Sequence, residues 1–180
     1  MSEGILLPPL PRGTLLPASE RLGRLHSALP QILSILEGET DSVALQSTLA
    51  CLLWDALPQA NWCGFYRRVG DAELAVGPYQ GTMGCLRIPF SRGVCGAAAT
   101  TGQIQRIPDV HAFPGHISCD DRSRSELVIP IFDSTGMLRA VLDLDSPSLN
   151  AFSEEESAVL VELLERVFTR REPGSSGVRW

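Results

Sequence analysis

The stretch LVIPIFDSTGMLRAVLDLD, residues 127–145, contains the pattern that decides the fold. Leu127–Phe132 and Met137–Asp145 are both largely apolar, and the four residues between them, Asp133-Ser134-Thr135-Gly136, are typical of a tight turn. The sequence therefore predicts a β-hairpin near the carboxyl end of the chain.

The second strand of this hairpin alternates between two faces. The positions expected to face a core are Leu138, Ala140, Leu142 and Leu144. Asp143 and Asp145 then lie together on the opposite face, and Glu126, at the start of the neighbouring strand, adds a third carboxylate. A solvated sheet face would give the same alternation, so the pattern alone leaves open whether these groups bind a ligand.

Working outward from the hairpin, the periodicity predicts further helices and strands along the whole chain. Helical spacing covers about 19–36, with Pro30 expected to kink or break it, and 42–57. The remaining segments are strands at 62–69, 73–76, 86–90 and 103–107, a short helix at 93–100, a long loop at 110–125 and a helix from Ser153 with a capping box. We therefore expect one α/β (α+β) domain, with a mostly antiparallel central sheet, terminal helices on one face and loops forming a pocket on the other.

Length, charge and the two ends of the chain limit the class of protein. The 180 residues suit one domain, and the formal charge of −6 argues against nucleic acid and anionic membrane as partners. No apolar run approaches the roughly 20 residues of a membrane span, and no signal peptide is evident, so a cytoplasmic location is expected. We predict a flexible arm at 1–17, the folded domain at 18–170 and a disordered tail at 171–180.

Three of the five cysteines, Cys85, Cys95 and Cys119, fall in one stretch without forming a CxxC pair. Each stands beside glycine or a small polar residue, which favours a thiol relay with one nucleophile and one or two resolving partners. A zinc site would combine these three thiols with His116, but the spacing lacks the close ligand pairs of such sites, so no metal is expected.

The other two cysteines are expected to be inert core residues. Cys51 lies within the second predicted helix, and Cys63 faces the core side of the first predicted strand. Trp62 and Tyr66 share the opposite face of that strand. Aromatic side chains beside acidic groups would suit a small ligand with one apolar and one cationic end, although both rings could also be core.

Five segments together resemble a known family, the free methionine-(R)-sulfoxide reductases, which are single-domain enzymes on the GAF fold. They are NWCGFY (61–66), GVCGAA (93–98), DVHAFPGHISCD (109–120), SRSELVIPI (123–131) and LDLDS (142–146). The resemblance runs from about residue 42 to 168. The three cysteine positions and the D-x-D strand distinguish it from GAF domains that act as small-molecule sensors, which is the main alternative.

The resemblance implies a role for each thiol. Cys119 matches the nucleophile, Cys85 the cysteine that forms a disulfide with it, and Cys95 a third position whose role is open. The implied reaction reduces free methionine-(R)-sulfoxide through a cysteine sulfenic acid and an intramolecular disulfide, which thioredoxin reduces.

The resemblance also implies the substrate pocket. Glu126, Asp143 and Asp145 match carboxylates that hold the substrate and assist proton transfer, and Asp109 is a further candidate. Trp62 and Tyr66 match the aromatic wall around the methyl-sulfoxide end. No cofactor is implied, and a homodimer through the N-terminal helices is possible on this sequence.

Overall fold

The computed structural model describes residues 7–115, 120–169 and 177–180. Its helices and strands follow the predicted order, and helix α1 continues through Pro30 without a break. The elements are α1 (Ala18–Ile35), α2 (Ser42–Ala56), β1 (Trp62–Arg68), β2 (Glu73–Gly81), β3 (Arg87–Pro89), α3 (Gly93–Thr101), β4 (Gln105–Ile107), β5 (Ser125–Phe132), β6 (Leu138–Ser146) and α4 (Glu154–Leu164). A short 3₁₀ turn covers Val110–Ala112, and a π-helical turn, Glu165–Thr169, extends α4.

The six strands form one antiparallel sheet in the order β3-β2-β1-β6-β5-β4. The predicted hairpin at its centre is confirmed, because β5 pairs with β6 along its length and Glu126 lies opposite Asp145. Strand β1 pairs with the other edge of β6, where Trp62 lies opposite Asp145 and Gly64 opposite Asp143. The fold is therefore the predicted α+β domain with an antiparallel central sheet.

The terminal helices cover one face of the sheet, as predicted. The larger apolar core lies between the sheet and helices α1, α2 and α4, and includes Cys63 and Phe65 of β1 together with Leu142 and Leu144 of β6. Two helix starts form as their sequences indicate: the Asp41 carboxylate caps α2, and α4 begins with a complete capping box. Burial of this face supplies most of the driving force for folding.

The opposite face of the sheet is also buried, which the strand alternation did not show. A second apolar cluster contains Trp62 and Tyr66 of β1 together with Cys95 and Ala98 of helix α3. Helix α3 covers this face, and Ile88 of β3 packs into the same cluster. The hypothesis of a simply solvated face is wrong for this reason.

Two side chains face a different way from our expectation. Leu138 packs in the second cluster rather than with the rest of its predicted row, because the β5–β6 register shifts between Ile131 and Phe132. Cys51, expected in the core, is an exposed free thiol on the outer side of α2. It lies four residues from both Ser47 and Asp55, and these three residues share the exposed side of α2.

The described part of the N-terminal segment, residues 7–17, lies along the end of α2. The Gly13 amide donates to the carbonyl of Pro58 at 2.8 Å. The Arg12 guanidinium stacks on Trp54, 4.3 Å from the centre of its ring. Residues 1–6 of the predicted arm lie outside the described residues.

The described end of the chain, residues 177–180, returns to the start of α2. The Arg179 amide donates to the carbonyl of Thr40 at 2.7 Å, and the Arg179 carbonyl accepts from the amide of Ser42 at 3.0 Å. The predicted tail began at residue 171, and 171–176 lie outside the described residues. Within the described residues, no helix is both long and apolar enough to span a membrane.

Candidate active site

A pocket opens on the sheet face that carries the second apolar cluster. It contains about 510 Å³ of space, part of it open to solvent. Its lining combines the sheet, the start of α3 and two loops: Trp62, Tyr66, Met83, Gly84, Ile88, Gly93, Val94, Cys95, Asp120, Ser123, Glu126, Asp143 and Asp145. This mixed lining suits a small polar molecule with an apolar part.

Strand register brings the three predicted carboxylates together in this pocket. Glu126 on β5 lies directly opposite Asp145 on β6, and Asp143 is two residues along the same strand on the same face. The residue opposite Asp143 on β1 is Gly64, which has no side chain to cover it. The carboxylates of Glu126 and Asp143 are buried, whereas that of Asp145 is half-buried.

Helix α3 adds a thiol to this acidic group. Cys95 is the third residue of α3, and its Sγ and one oxygen each of Glu126 and Asp143 all lie within 4.8 Å of one another. Burial raises the pKa of the Cys95 thiol, and the charge of Asp143 raises it further. Cys95 therefore stays a thiol and donates a hydrogen bond to the Asp143 carboxylate.

Asp143 is the acceptor at the centre of this group. Burial raises the pKa of Asp143 to about 7, although hydrogen bonds from Cys95 and Glu126 to its ionised form oppose the rise. The other oxygen, Oδ1, is buried with no hydrogen-bond partner in the part of the chain that the structure describes. A bound molecule with a donor group could supply the missing partner.

The neighbouring carboxyls are arranged to hold protons. Burial raises the pKa of Glu126 well above its ordinary value, and the nearby charge of Asp143 adds to this effect. Burial likewise raises the pKa of Asp145, helped by the charges of Asp143 and Asp120, while a hydrogen bond from Ser123 opposes the rise. The pocket can therefore offer both a carboxylate and a protonated carboxyl at neutral pH.

Two stacked aromatic rings form the apolar wall. The rings of Trp62 and Tyr66 are 5.4 Å apart between centroids and 17° from parallel. The ring of Tyr79 also stacks on Trp62, with centroids 5.2 Å apart. A Cβ on Gly64 would lie 2.2 Å from the Cβ of Tyr79, so only glycine permits this stack. A Cβ on Gly84 would similarly lie 2.7 Å from the Tyr66 hydroxyl oxygen.

The loop after β2 closes this wall. The indole Nε1 of Trp62 donates to the carbonyl of Thr82 at 3.0 Å, and the Cys85 amide donates to the Tyr66 hydroxyl. Cys85 is half-buried at the end of this loop, beside the pocket-lining Met83 and Gly84.

The structure thus brings together six of the residues predicted from sequence and leaves others apart. Those in the pocket are Trp62, Tyr66, Cys95, Glu126, Asp143 and Asp145. Asp109 does not line it, and its carboxylate instead accepts from the amide of His111 to cap the 3₁₀ turn. Cys119 and His116 lie outside the described residues.

Some pocket residues were not predicted from sequence. Asp120 and Ser123 line the pocket beside the carboxylates, and Gly93 and Val94 form its edge at the start of α3. The quoted motifs 93–98, 109–120 and 123–131 contain all four residues, but nothing in these motifs separates them from their neighbours. A search for polar residues within motifs would have found Asp120.

Comparison with known proteins places this chain in a family. The GAF domain model matches residues 32–170. Protein YtsP of Bacillus subtilis (strain 168) is 46% identical over 138 residues, 76% of this chain and 84% of that protein. The free methionine-R-sulfoxide reductase of Escherichia coli (strain K12) is 42% identical over 131 residues, 73% of this chain and 78% of that protein.

A solved structure agrees in fold as well as in sequence. The X-ray structure of free methionine-R-sulfoxide reductase from Neisseria meningitidis in complex with its substrate superposes with a TM-score of 0.78 and 41% identity, covering 84% of this chain and 90% of that one. The chain belongs to the GAF-domain family and, within it, to the free methionine-(R)-sulfoxide reductases.

Proposed function

We propose that this protein reduces free L-methionine-(R)-sulfoxide to L-methionine. The observation that carries the proposal is the cluster of Cys95, Glu126 and Asp143 beside the Trp62–Tyr66 stack, in a chain of this family. The cluster supplies negative charge and a proton, and the aromatic stack supplies an apolar wall. Together they match a zwitterion with a methyl-sulfoxide end.

The acidic side of the pocket favours the free amino acid. A free α-ammonium group can pair with Asp143 or Asp145, whereas a residue within a peptide has no charge at that position. The unpartnered Oδ1 of Asp143 is available to such a donor. The sulfoxide end would then lie against Trp62 and Tyr66.

The chemical step needs a nucleophile and an acid. The Cys119 thiolate attacks the sulfoxide sulfur, and a protonated carboxyl, Glu126 or Asp143, delivers a proton to the oxygen. In the balanced step, the sulfoxide and one proton convert the Cys119 thiolate to its sulfenic acid, and methionine leaves. The raised pKa of Glu126 supports its role as the donor, because the carboxyl keeps its proton at neutral pH.

Recycling uses a second thiol and an external reductant. The Cys85 thiol condenses with the Cys119 sulfenic acid, which releases water and forms a disulfide. A dithiol protein, for which we propose thioredoxin, then reduces the disulfide by thiol exchange. The cycle requires no bound metal or cofactor, and it requires a reducing compartment, for which we propose the cytoplasm.

Activity is tested with the whole protein, thioredoxin, thioredoxin reductase and NADPH. We expect NADPH oxidation with free methionine-(R)-sulfoxide, and little or none with the (S)-epimer or with a peptide that contains the (R)-sulfoxide. A chain that binds small molecules without oxidising NADPH would be a GAF sensor instead, and would contradict the proposal.

The two proposed redox thiols give different defects. Cys119→Ser should abolish methionine release, because no nucleophile remains. Cys85→Ser should release about one methionine per enzyme and then stop, since the sulfenic acid is not resolved. Methionine is measured by chromatography after mixing reduced enzyme with excess substrate. Full activity of Cys119→Ser would remove it from the mechanism.

We also propose that two copies associate through the N-terminal helices. Val43 on α2 is 51% exposed, so a charge placed there probes this surface. Sedimentation velocity of the wild type and of Val43→Glu would test the association. Dimerisation of both proteins to the same extent would place the interface elsewhere.

A further inference from the structure

Asp120 joins three separate segments beside the pocket. Its Oδ2 accepts from the Thr82 hydroxyl at 3.0 Å and from the Asn61 amide nitrogen at 3.3 Å. Its own loop contributes Arg122, whose Nη2 donates to Oδ2 at 2.7 Å and whose Nε donates to Oδ1 at 2.9 Å. The side chain of Asp120 is only 13% exposed, so these protein groups take the place of water.

The carboxylate at this junction stays charged. Hydrogen bonds from Arg122 hold the pKa of Asp120 well below its usual range, and the Thr82 hydroxyl adds to the effect, while burial opposes it. Hydrogen bonds to an ionised acceptor are about twice as strong as neutral ones. Asp120 therefore offers Thr82 a charged acceptor.

The contact with Arg122 is local, but the contact with Thr82 spans 38 residues. Thr82 is itself held, because its carbonyl accepts from the Trp62 indole at 3.0 Å. In the chain, Asp120 directly follows Cys119, and Thr82 precedes Cys85 by three residues. The hydrogen bond therefore links the chain next to the proposed nucleophile with the loop that holds the proposed resolving thiol.

We propose that Asp120 is a positioning residue that, through Thr82, sets how fast the Cys119 sulfenic acid condenses with Cys85. This inference rests on the proposed function for the roles of the two thiols. It assigns the hydrogen bond between Asp120 and Thr82 to the second step of the cycle, and leaves the attack on the sulfoxide to Cys119 with Glu126 or Asp143. The link bears on this step because the condensation joins one sulfur atom from each of the two segments.

The test variant is Thr82→Val, which replaces the hydroxyl by a methyl group of similar shape at an exposed position that does not line the pocket. Reduced protein is mixed with one equivalent of free methionine-(R)-sulfoxide. Methionine is quantified with time, and disulfide formation is followed by thiol alkylation and mass spectrometry. We expect methionine release within about twofold of wild type, and disulfide formation slowed about tenfold, the scale for losing one hydrogen bond to a charged group.

Two further variants separate positioning from general disruption. Thr82→Ser restores the hydroxyl and should recover the wild-type rate. Thr135→Val is the matched control, because the Thr135 hydroxyl donates to the Asp133 carboxylate at 2.6 Å in the turn between β5 and β6, outside the pocket lining. It loses the same kind of bond, and its rate of disulfide formation should not change.

A second arm replaces the sulfoxide by hydrogen peroxide, which oxidises the Cys119 thiolate directly to the sulfenic acid. If disulfide formation in this arm is slower in Thr82→Val than in the wild type, the inference is supported. This holds even if the wild type releases no methionine from the sulfoxide, because that result would count against the proposed function alone. If Thr82→Val forms the disulfide at the wild-type rate in this arm, the inference is overturned. Equal slowing of methionine release and disulfide formation in the sulfoxide arm would also overturn it, since that is the mark of a purely structural role.

Discussion

At the residue scale, Asp143 shows how the surrounding fold determines the chemistry of one carboxyl. Strand β6 places it on a buried face opposite Gly64, and helix α3 brings the Cys95 thiol to it. Burial favours the protonated acid, whereas donors from Cys95 and Glu126 favour the carboxylate. The balance of these two effects brings its pKa to about 7, where it can exchange a proton under ordinary conditions.

The raised pKa of Asp143 predicts how stability depends on pH. The unfolded group has a pKa of about 3.9, so the folded protein binds more protons above that pH. The stability that this group contributes is therefore full below about pH 4 and is lost as the pH rises through about 7. Asp143→Asn cannot ionise and should show a shallower fall in the free energy of unfolding between these values.

Urea unfolding at several pH values measures this slope. Glu126 and Asp145 also have raised pKa values, so part of the slope should remain in Asp143→Asn. Asp71→Asn, at a fully exposed turn position, is the control and should match the wild type. An identical slope in all three proteins would show that Asp143 has an ordinary pKa.

Cys95 provides a second prediction at this scale. Its raised pKa leaves little thiolate, so it is a poor resolving nucleophile and a good donor to Asp143. Cys95→Ser keeps a donor and should sustain turnover with thioredoxin. Cys95→Ala loses the donor and should lower kcat about tenfold, the scale for a hydrogen bond to a charged acceptor.

Steady-state NADPH oxidation compares the two Cys95 variants. Release of a single methionine by Cys95→Ser, followed by arrest, would make Cys95 the principal resolving thiol. That result would reverse the assignment to Cys85.

At the scale of elements, helix α3 depends on close contact with the chain that precedes it. A Cβ on Gly96 would lie 2.7 Å from the Pro89 carbonyl oxygen and 2.8 Å from that of Phe90. The glycine therefore lets α3 approach β3 closely enough to place Cys95 against the carboxylates. The short, glycine-rich start of this helix is part of the pocket wall.

Gly96→Ala should accordingly destabilise the protein by about 1–3 kcal/mol, the usual cost of overpacking. It should also reduce kcat/KM, because the helix must shift with Cys95. Gly23→Ala is the matched control: Gly23 lies in α1 with nothing within 4 Å of its added Cβ, so the change should stabilise by about 0.5–1 kcal/mol. Urea unfolding measures both effects, and equal stability of the two variants would contradict the packing argument.

The elements also show which features a single sequence can predict. Strand alternation predicted that Trp62 and Tyr66 share a face with Asp143, because a period of two leaves only two faces. It could not predict that α3 covers that face, since this depends on contacts between distant segments. Cys51 was misplaced because it was treated as a small hydrophobic residue, although it shares the exposed side of α2 with Ser47 and Asp55. Leu138 was misplaced because a register shift is not visible in an alternating pattern.

At the scale of the whole molecule, one buried polar network links the two ends of the domain. Glu156 of α4 is fully buried and accepts two hydrogen bonds from Arg21 of α1, at 3.0 and 2.9 Å. It also accepts from Gln59 at 3.1 Å and from the amide of Ser153 at 2.8 Å. The Gln59 carbonyl accepts from Ser146 at the end of β6, so the network reaches the strand that holds the acidic pair.

Glu156→Gln should therefore be less stable than a variant with a substitution on the surface, because it leaves the Arg21 charge buried without its partner. The expected cost is about 3–5 kcal/mol, or a Tm lower by about 10 °C for a chain of this length. Glu73→Gln is the matched control, since Glu73 pairs with Arg87 at a similar 3.0 Å but on the surface, and it should cost little. Adding Arg21→Met to Glu156→Gln should recover part of the loss by removing the unpaired charge. Thermal unfolding of the wild type, the two single variants and the double variant measures these differences in stability. If the double variant is less stable than Glu156→Gln, then packing of the Arg21 side chain, rather than its charge, connects the two helices.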